Sequence, residues 1–183
     1  MTSERSTQEG QAGGGSTLRR LGTLLVGQGE AIAGTVYGTI IVLATITAGA
    51  SAFQDDLWRL CVVILASVLV VWIAHVYSHG LGQSLHMQRR LTWSEFMAIA
   101  RREYAIPLAA VLPLISLILG AAGVLEGTTA VWLALGIGVA TLTLEGLSYA
   151  RLERLNLTAT LATVAVNLAL GLTIVVLKAL VAH

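Results

Sequence analysis

Five apolar segments of about 20 residues each dominate this 183-residue sequence. A helix of that length crosses the roughly 30 Å hydrocarbon core of a bilayer at 1.5 Å per residue. The segments lack the alternating pattern of barrel strands, so we expect helices, which bond every backbone polar group within one segment. The predicted spans cover about residues 31–50, 57–80, 104–123, 129–149 and 157–181.

Little of the chain remains for anything outside these spans. Charged residues make up only 11% of it, whereas soluble proteins average about a quarter. Residues 1–16 are polar and rich in Gly, Ser and Gln, so we predict a disordered cytoplasmic tail there. Residues 17–183 are predicted to form a single transmembrane helical domain.

Basic residues are distributed unequally between the two ends of the predicted spans. Nine of the 11 lysines and arginines precede the first span or fill the second and fourth connections. The positive-inside rule therefore predicts an amino terminus inside the cell and, after five spans, a carboxyl terminus outside. The predicted fold class is an all-α integral membrane protein, a bundle of about five transmembrane helices. We expect a multi-pass protein of the cell membrane, surrounded by the lipid bilayer.

The connection before the third span carries helix signals. Thr92 followed by Glu95 is typical of a capping box, which would open a helix leading into that span. Pro107 and Pro113 lie within the span and are expected to kink it.

Four ionisable side chains fall at one depth of the predicted bundle. Glu30 opens the first span, His75 and His79 lie in the inner part of the second, and Glu145 lies near the inner end of the fourth. Because helix directions alternate, all four are within about two turns of the cytoplasmic boundary. Ionisable groups inside a membrane are costly, so each is a functional hypothesis. We expect these four to form one site, with the two histidines sharing a face at i, i+4 spacing.

The chemistry of this set leaves alternatives open. Two carboxylates and two imidazoles suit a divalent first-row metal as the transported ion, and any other cofactor is unknown. The same groups could pass protons, or they could be structural and satisfy one another. No nucleophile and base stand at a recognisable catalytic spacing, so we expect no enzyme. A net charge of +1 gives no indication of nucleic-acid binding, and none is expected.

Small and polar residues mark faces of the first and last spans. Thr160, Thr163 and Asn167 share one face of the fifth span, which either lines the cation or proton path or joins helices by hydrogen bonds. Gly34 and Gly38 form a G-x-x-x-G pair, which predicts close helix packing or a homodimer.

Several short segments of the sequence resemble the vacuolar iron transporter family. The residues that carry this resemblance are Tyr37-Gly38-Thr39 through Ala48-Gly49-Ala50, Ser84 to Gln88-Arg89, and Gly146 followed by Arg151. With the five-span topology, the resemblance implies that fold and a dimer. It implies no metal ligand, because Tyr37, Tyr77 and Leu81 stand where that family has acidic and methionine ligands. Its cytoplasmic metal domain has no counterpart between Leu81 and Glu103.

The function we expect is membrane transport of a cation, a divalent metal, a proton or both, through a small homodimeric bundle. Two alternatives remain open at this level. One is a non-transporting assembly or scaffold subunit whose polar stripe binds partner helices. The other is a passive proton or cation channel.

Overall fold

The computed structural model describes residues 28–53 and 56–181, without the side chains of 178–181. The tail predicted for residues 1–16 lies outside this part of the chain. Seven helices cover most of the described residues, and none of these residues forms a strand. The helices are α1 (Gln28–Gly49), α2 (Leu57–Met87), α3 (Trp93–Arg102), α4 (Ala105–Leu108), α5 (Val111–Ala121), α6 (Gly127–Leu152) and α7 (Leu157–Val181).

The predicted all-helical architecture with about five apolar spans is confirmed at the level of helix length and composition. Helices α1, α2, α6 and α7 are each long and apolar enough to cross a membrane. Trp93–Leu108 and Val111–Ala121 together make a fifth span if the bent pair is counted as one.

Two prolines determine where the third span breaks. A proline has no N–H to donate and its ring collides with the carbonyl of the residue four positions earlier. For Pro107 that residue is Glu103, which separates α3 from α4, and for Pro113 it is Ala109, in the break between α4 and α5. The chain bends by 47° at the second break, so the predicted kink is confirmed.

Helix α2 is longer than the predicted 57–80 span. At 1.5 Å per residue its 31 residues extend about 46 Å, well beyond a hydrocarbon core of about 30 Å. The last turns of α2 pack against α3, which begins with the predicted capping box of Thr92 and Glu95. Arg89 adds an ion pair to Glu95 with a nitrogen–oxygen distance of 2.6 Å.

Apolar side chains from α1, α2, α5 and α6 form the main core. Its fully buried members include Leu43, Ile46, Leu60, Ile64, Leu117 and Leu135. Helix α7 packs against α6 and leaves most of its apolar surface exposed. A surface of this kind is suited to lipid.

Gly34 and Gly38 bring α1 against α4 of the same chain. A Cβ atom added at Gly38 would lie 2.4 Å from the carbonyl oxygen of Ile106, so only glycine fits there. A Cβ atom at Gly34 would lie 3.1 Å from that of Ala105. The described contacts of this pair are therefore helix packing within one chain, and α4 occupies the face that the sequence predicts for close helix packing or a homodimer.

Candidate metal centre

Two histidines of α2 stand side by side near the middle of that helix. His75 and His79 are one helical turn apart, and their ring centroids are 4.7 Å from each other. The ring of Tyr37, from α1, lies 5.4 Å from that of His75. The i, i+4 spacing thus places both imidazoles on the face of α2 that carries the site.

Glu103 brings a carboxylate to these rings from the break between α3 and α4. Its Oε1 atom lies 3.0 Å from His79 Nδ1, and its Oε2 atom lies 3.7 Å from His75 Nε2. Glu103 is only 7% exposed, whereas both histidines reach the surface. A buried carboxylate is costly without partners, and the two imidazoles supply them.

Packing between α2 and α3 fixes the position of Glu103. Gly80 leaves room on α2 for the side chains of Leu91, Phe96 and Ile99, which lie 3.5 to 3.9 Å from where its Cβ would be. Val76 is buried in the same cluster. This small apolar contact holds α3 against α2 one helical turn before Glu103.

Glu103 is not one of the site residues predicted from the sequence. Its neighbours Arg101 and Arg102 made it part of a charged cytoplasmic connection. One signal was available, because Glu103 lies four residues before Pro107, where a helix must open. The position of Pro107 predicts where the helix breaks, but it does not predict which helix the Glu103 side chain contacts.

The three side chains fit a divalent cation. One ligand atom from each of His75, His79 and Glu103 lies within 4.8 Å of the other two. In a tetrahedral site with bonds of about 2.1 Å, ligand atoms are about 3.4 Å apart, so small side-chain movements suffice. Across residues 28–53 and 56–181, no other group of three or more His, Cys, Asp or Glu side chains meets this criterion.

Glu30 is placed next to this centre. A cavity of about 360 Å³ is lined by Glu30, His79 and Glu103, together with Ser78, Gly82, Gln83, Ile99 and Arg102. The cavity connects the amino-terminal part of α1 with the His–Glu group. Glu30 can therefore add negative charge to this cavity, although it does not belong to the three-residue metal group.

Glu145 lies in a different place. It lines a cavity of about 600 Å³ between α1, α6 and α7, together with Thr163 and Asn167. Of the four ionisable residues expected in one site, Glu30 and His79 line one cavity and Glu145 lines another, while His75 is joined to the first group through Glu103. Glu145 also has no place in the three-residue metal group.

The polar face of α7 is turned toward α6. Asn167 packs over Gly146, where an added Cβ would lie 3.0 Å from the Asn167 amide nitrogen. That nitrogen donates to the Thr163 carbonyl oxygen at 3.0 Å, and the Thr163 hydroxyl donates to the Ala159 carbonyl oxygen at 2.9 Å. Within the described part of the chain, the Thr160 hydroxyl makes one long contact of 3.5 Å, with the Leu155 carbonyl oxygen.

The His75, His79 and Glu103 group offers three ligand atoms to a divalent ion, and two of these residues, His79 and Glu103, line a cavity. Sites with three protein ligands and one open position are typical of metals that exchange a ligand, whereas closed four-ligand sites are structural. No family model, curated protein or solved structure matches this chain.

Proposed function

We propose that this chain is a multi-pass protein of the cell membrane that transports a divalent first-row transition-metal cation, bound at His75, His79 and Glu103. The observation that carries the proposal is that the buried Glu103 carboxylate lies between the imidazoles of His75 and His79. Both histidines belong to α2, which is long and apolar enough to span a membrane. Ionisable groups at such a position typically belong to an ion pathway.

The ligand set supports a transition metal over Mg²⁺ or Ca²⁺. Imidazole suits Zn, Fe, Ni and Co, whereas Mg²⁺ and Ca²⁺ require oxygen ligands almost entirely. One carboxylate neutralises half of the charge of a divalent ion, and Glu30 at the adjoining cavity offers a second negative charge. Protons compete with a metal for the same imidazole nitrogens, so uptake or release is expected to respond to pH.

The charge distribution supports a cytoplasmic location for the centre. Arg89, Arg90, Arg101 and Arg102 flank the end of α2 and the α3 helix that build it. Under the positive-inside rule this end of the bundle faces the cytoplasm, which places the amino terminus inside and the carboxyl terminus outside. The metal would then meet His79 and Glu103 first from the cytoplasmic side.

The resemblance to the vacuolar iron transporter family supports a homodimer as part of the proposal. Gly34 and Gly38 already pack against α4, so a dimer would form through another surface. Among the described candidate spans, α7 has the smallest buried share, so it offers apolar surface for such a contact.

Metal binding by the purified protein is the first test. Protein in nanodiscs is titrated with Zn²⁺ or Co²⁺ and compared with His75→Ala, His79→Ala and Glu103→Gln. Each change should weaken binding at least about tenfold, because it removes one of three ligands. His86→Ala is the matched control, since His86 lies on the same helix, is exposed, and stands outside the three-residue group.

Flux is the second test. Proteoliposomes that contain a metal-sensitive dye report uptake with and without a pH gradient. Saturable flux that depends on His75 and Glu103 supports the transporter, and non-saturating flux indicates a passive channel. Metal binding without flux would favour a non-transporting assembly subunit, and flux unchanged in both variants would reject the site.

A further inference from the structure

The cavity that contains Glu145 is separate from the metal centre and has a different chemical character. Its volume of about 600 Å³ lies within the range of about 300 to 1,000 Å³ that is typical of small-molecule sites. Most of its wall is apolar, contributed by Ile32, Ala33, Val36 and Leu152. A ligand there needs a substantial apolar body.

The charged groups on this cavity are both acidic. Glu145 and Glu153 line it, and no lysine, arginine or histidine of the described residues does. The Glu145 carboxylate has no hydrogen bond or ion pair among residues 28–53 and 56–181. Arg151 lines a neighbouring cavity that shares Glu145, but it does not form an ion pair with that carboxylate. The cavity is thus complementary to a positive charge.

Two further groups are suited to an organic cation. The Tyr149 ring lies on the wall, and an aromatic face attracts a cation that has lost its water. The Asn167 amide nitrogen is already bonded to the Thr163 carbonyl oxygen, and no contact among the described residues occupies its amide oxygen. That oxygen remains as an acceptor for an N–H group of a ligand.

We propose that this cavity binds a lipophilic organic cation, whose charge pairs with Glu145 and whose apolar body packs between α1, α6 and α7. A metal ion is disfavoured because the two carboxylates that line the cavity have no imidazole beside them. An uncharged acyl chain would leave the Glu145 carboxylate without a partner in an apolar wall. This proposal does not depend on metal transport.

A pair of probes with one shape and opposite charges tests it. Protein in zwitterionic nanodiscs is equilibrated by dialysis with tetraphenylphosphonium or with tetraphenylborate, and empty nanodiscs correct for partition into lipid. We expect saturable binding of the phosphonium cation alone. Glu145→Gln should weaken that binding at least about tenfold, because it removes the carboxylate with which the cation pairs.

Matched variants separate loss of the site from loss of the fold. Glu126→Gln removes the same charge at the opposite end of α6 and should bind the cation normally. Ala33→Trp keeps Glu145 but fills the cavity, so it should also prevent binding while size-exclusion profiles and circular dichroism stay unchanged. His75→Ala should leave tetraphenylphosphonium binding unchanged although it weakens metal binding, which distinguishes this site from the metal centre.

Three results would overturn the proposal. The first is equal retention of both probes, which would indicate hydrophobic partition only. The second is cation binding that Glu145→Gln leaves unchanged. The third is a protein that binds neither probe above empty nanodiscs, as expected if the cavity holds only lipid chains.

Discussion

His79 Nδ1 lies 3.0 Å from Glu103 Oε1, and this contact joins α2 to the first break of the bent span. The carboxylate is buried while the imidazole is about half exposed. The Glu103 carboxylate therefore depends on the contact far more than the His79 imidazole does. This asymmetry gives different expectations for removing each side chain.

Without metal, His79→Ala should destabilise the protein, whereas Glu103→Leu should be close to neutral. Removing the imidazole leaves a buried carboxylate with one partner fewer, at a cost of about 1 to 3 kcal/mol. Replacing the carboxylate with an apolar side chain removes the buried charge itself. Thermal unfolding in detergent measures both. Equal losses for the two variants would contradict this account of the centre.

Pro107→Ala should weaken metal binding while it increases helix content. Alanine restores an N–H that can donate to the Glu103 carbonyl oxygen, so α3 and α4 can join into one helix. The Glu103 side chain would then turn away from His75 and His79. Metal titration and circular dichroism measure the two effects. Pro113→Ala joins α4 to α5 instead and should leave metal binding much closer to normal.

Gly38→Ala should lower both thermal stability and metal affinity. The added Cβ would collide with the Ile106 backbone, so α4 must move away from α1, and Glu103 moves with it. Overpacking of this kind costs about 1 to 3 kcal/mol. Gly136→Ala is the control, because nothing lies within 4 Å of its added Cβ. An unfolding temperature of Gly38→Ala equal to that of the control would show that α1 and α4 are not in close contact.

The start of α3 should lose its ion pair in acid. Glu95 lies in the first turn of α3, ahead of the apolar segment predicted for residues 104–123. The Arg89 guanidinium, with the Thr92 backbone N–H, lowers the pKa of Glu95 to about 2. A lowered pKa means that the carboxylate stabilises the fold above its usual value of 4.5 and loses that contribution as pH falls toward 2. The difference in unfolding temperature between wild type and Glu95→Gln should therefore shrink over this interval. A constant difference would contradict the assignment.

The local features of this chain were readable from the sequence. Apolar length predicted the helices, Thr92 and Glu95 predicted a capping box, and Pro107 and Pro113 predicted the kink. Each of these depends on residues within a few positions of one another. The i, i+4 spacing likewise predicted that His75 and His79 share a face.

The sequence by itself determined how far along its helix each residue lies, because each residue of a helix advances by a fixed rise along the axis. It could not determine which faces meet, since that depends on how whole helices pack and rotate against one another. Only the tertiary structure brought Glu103 to the histidines, placed Glu145 in a separate cavity and turned Gly38 toward α4. Residues at one depth can lie on different sides of the bundle, and the packing between helices decides which of them share a site.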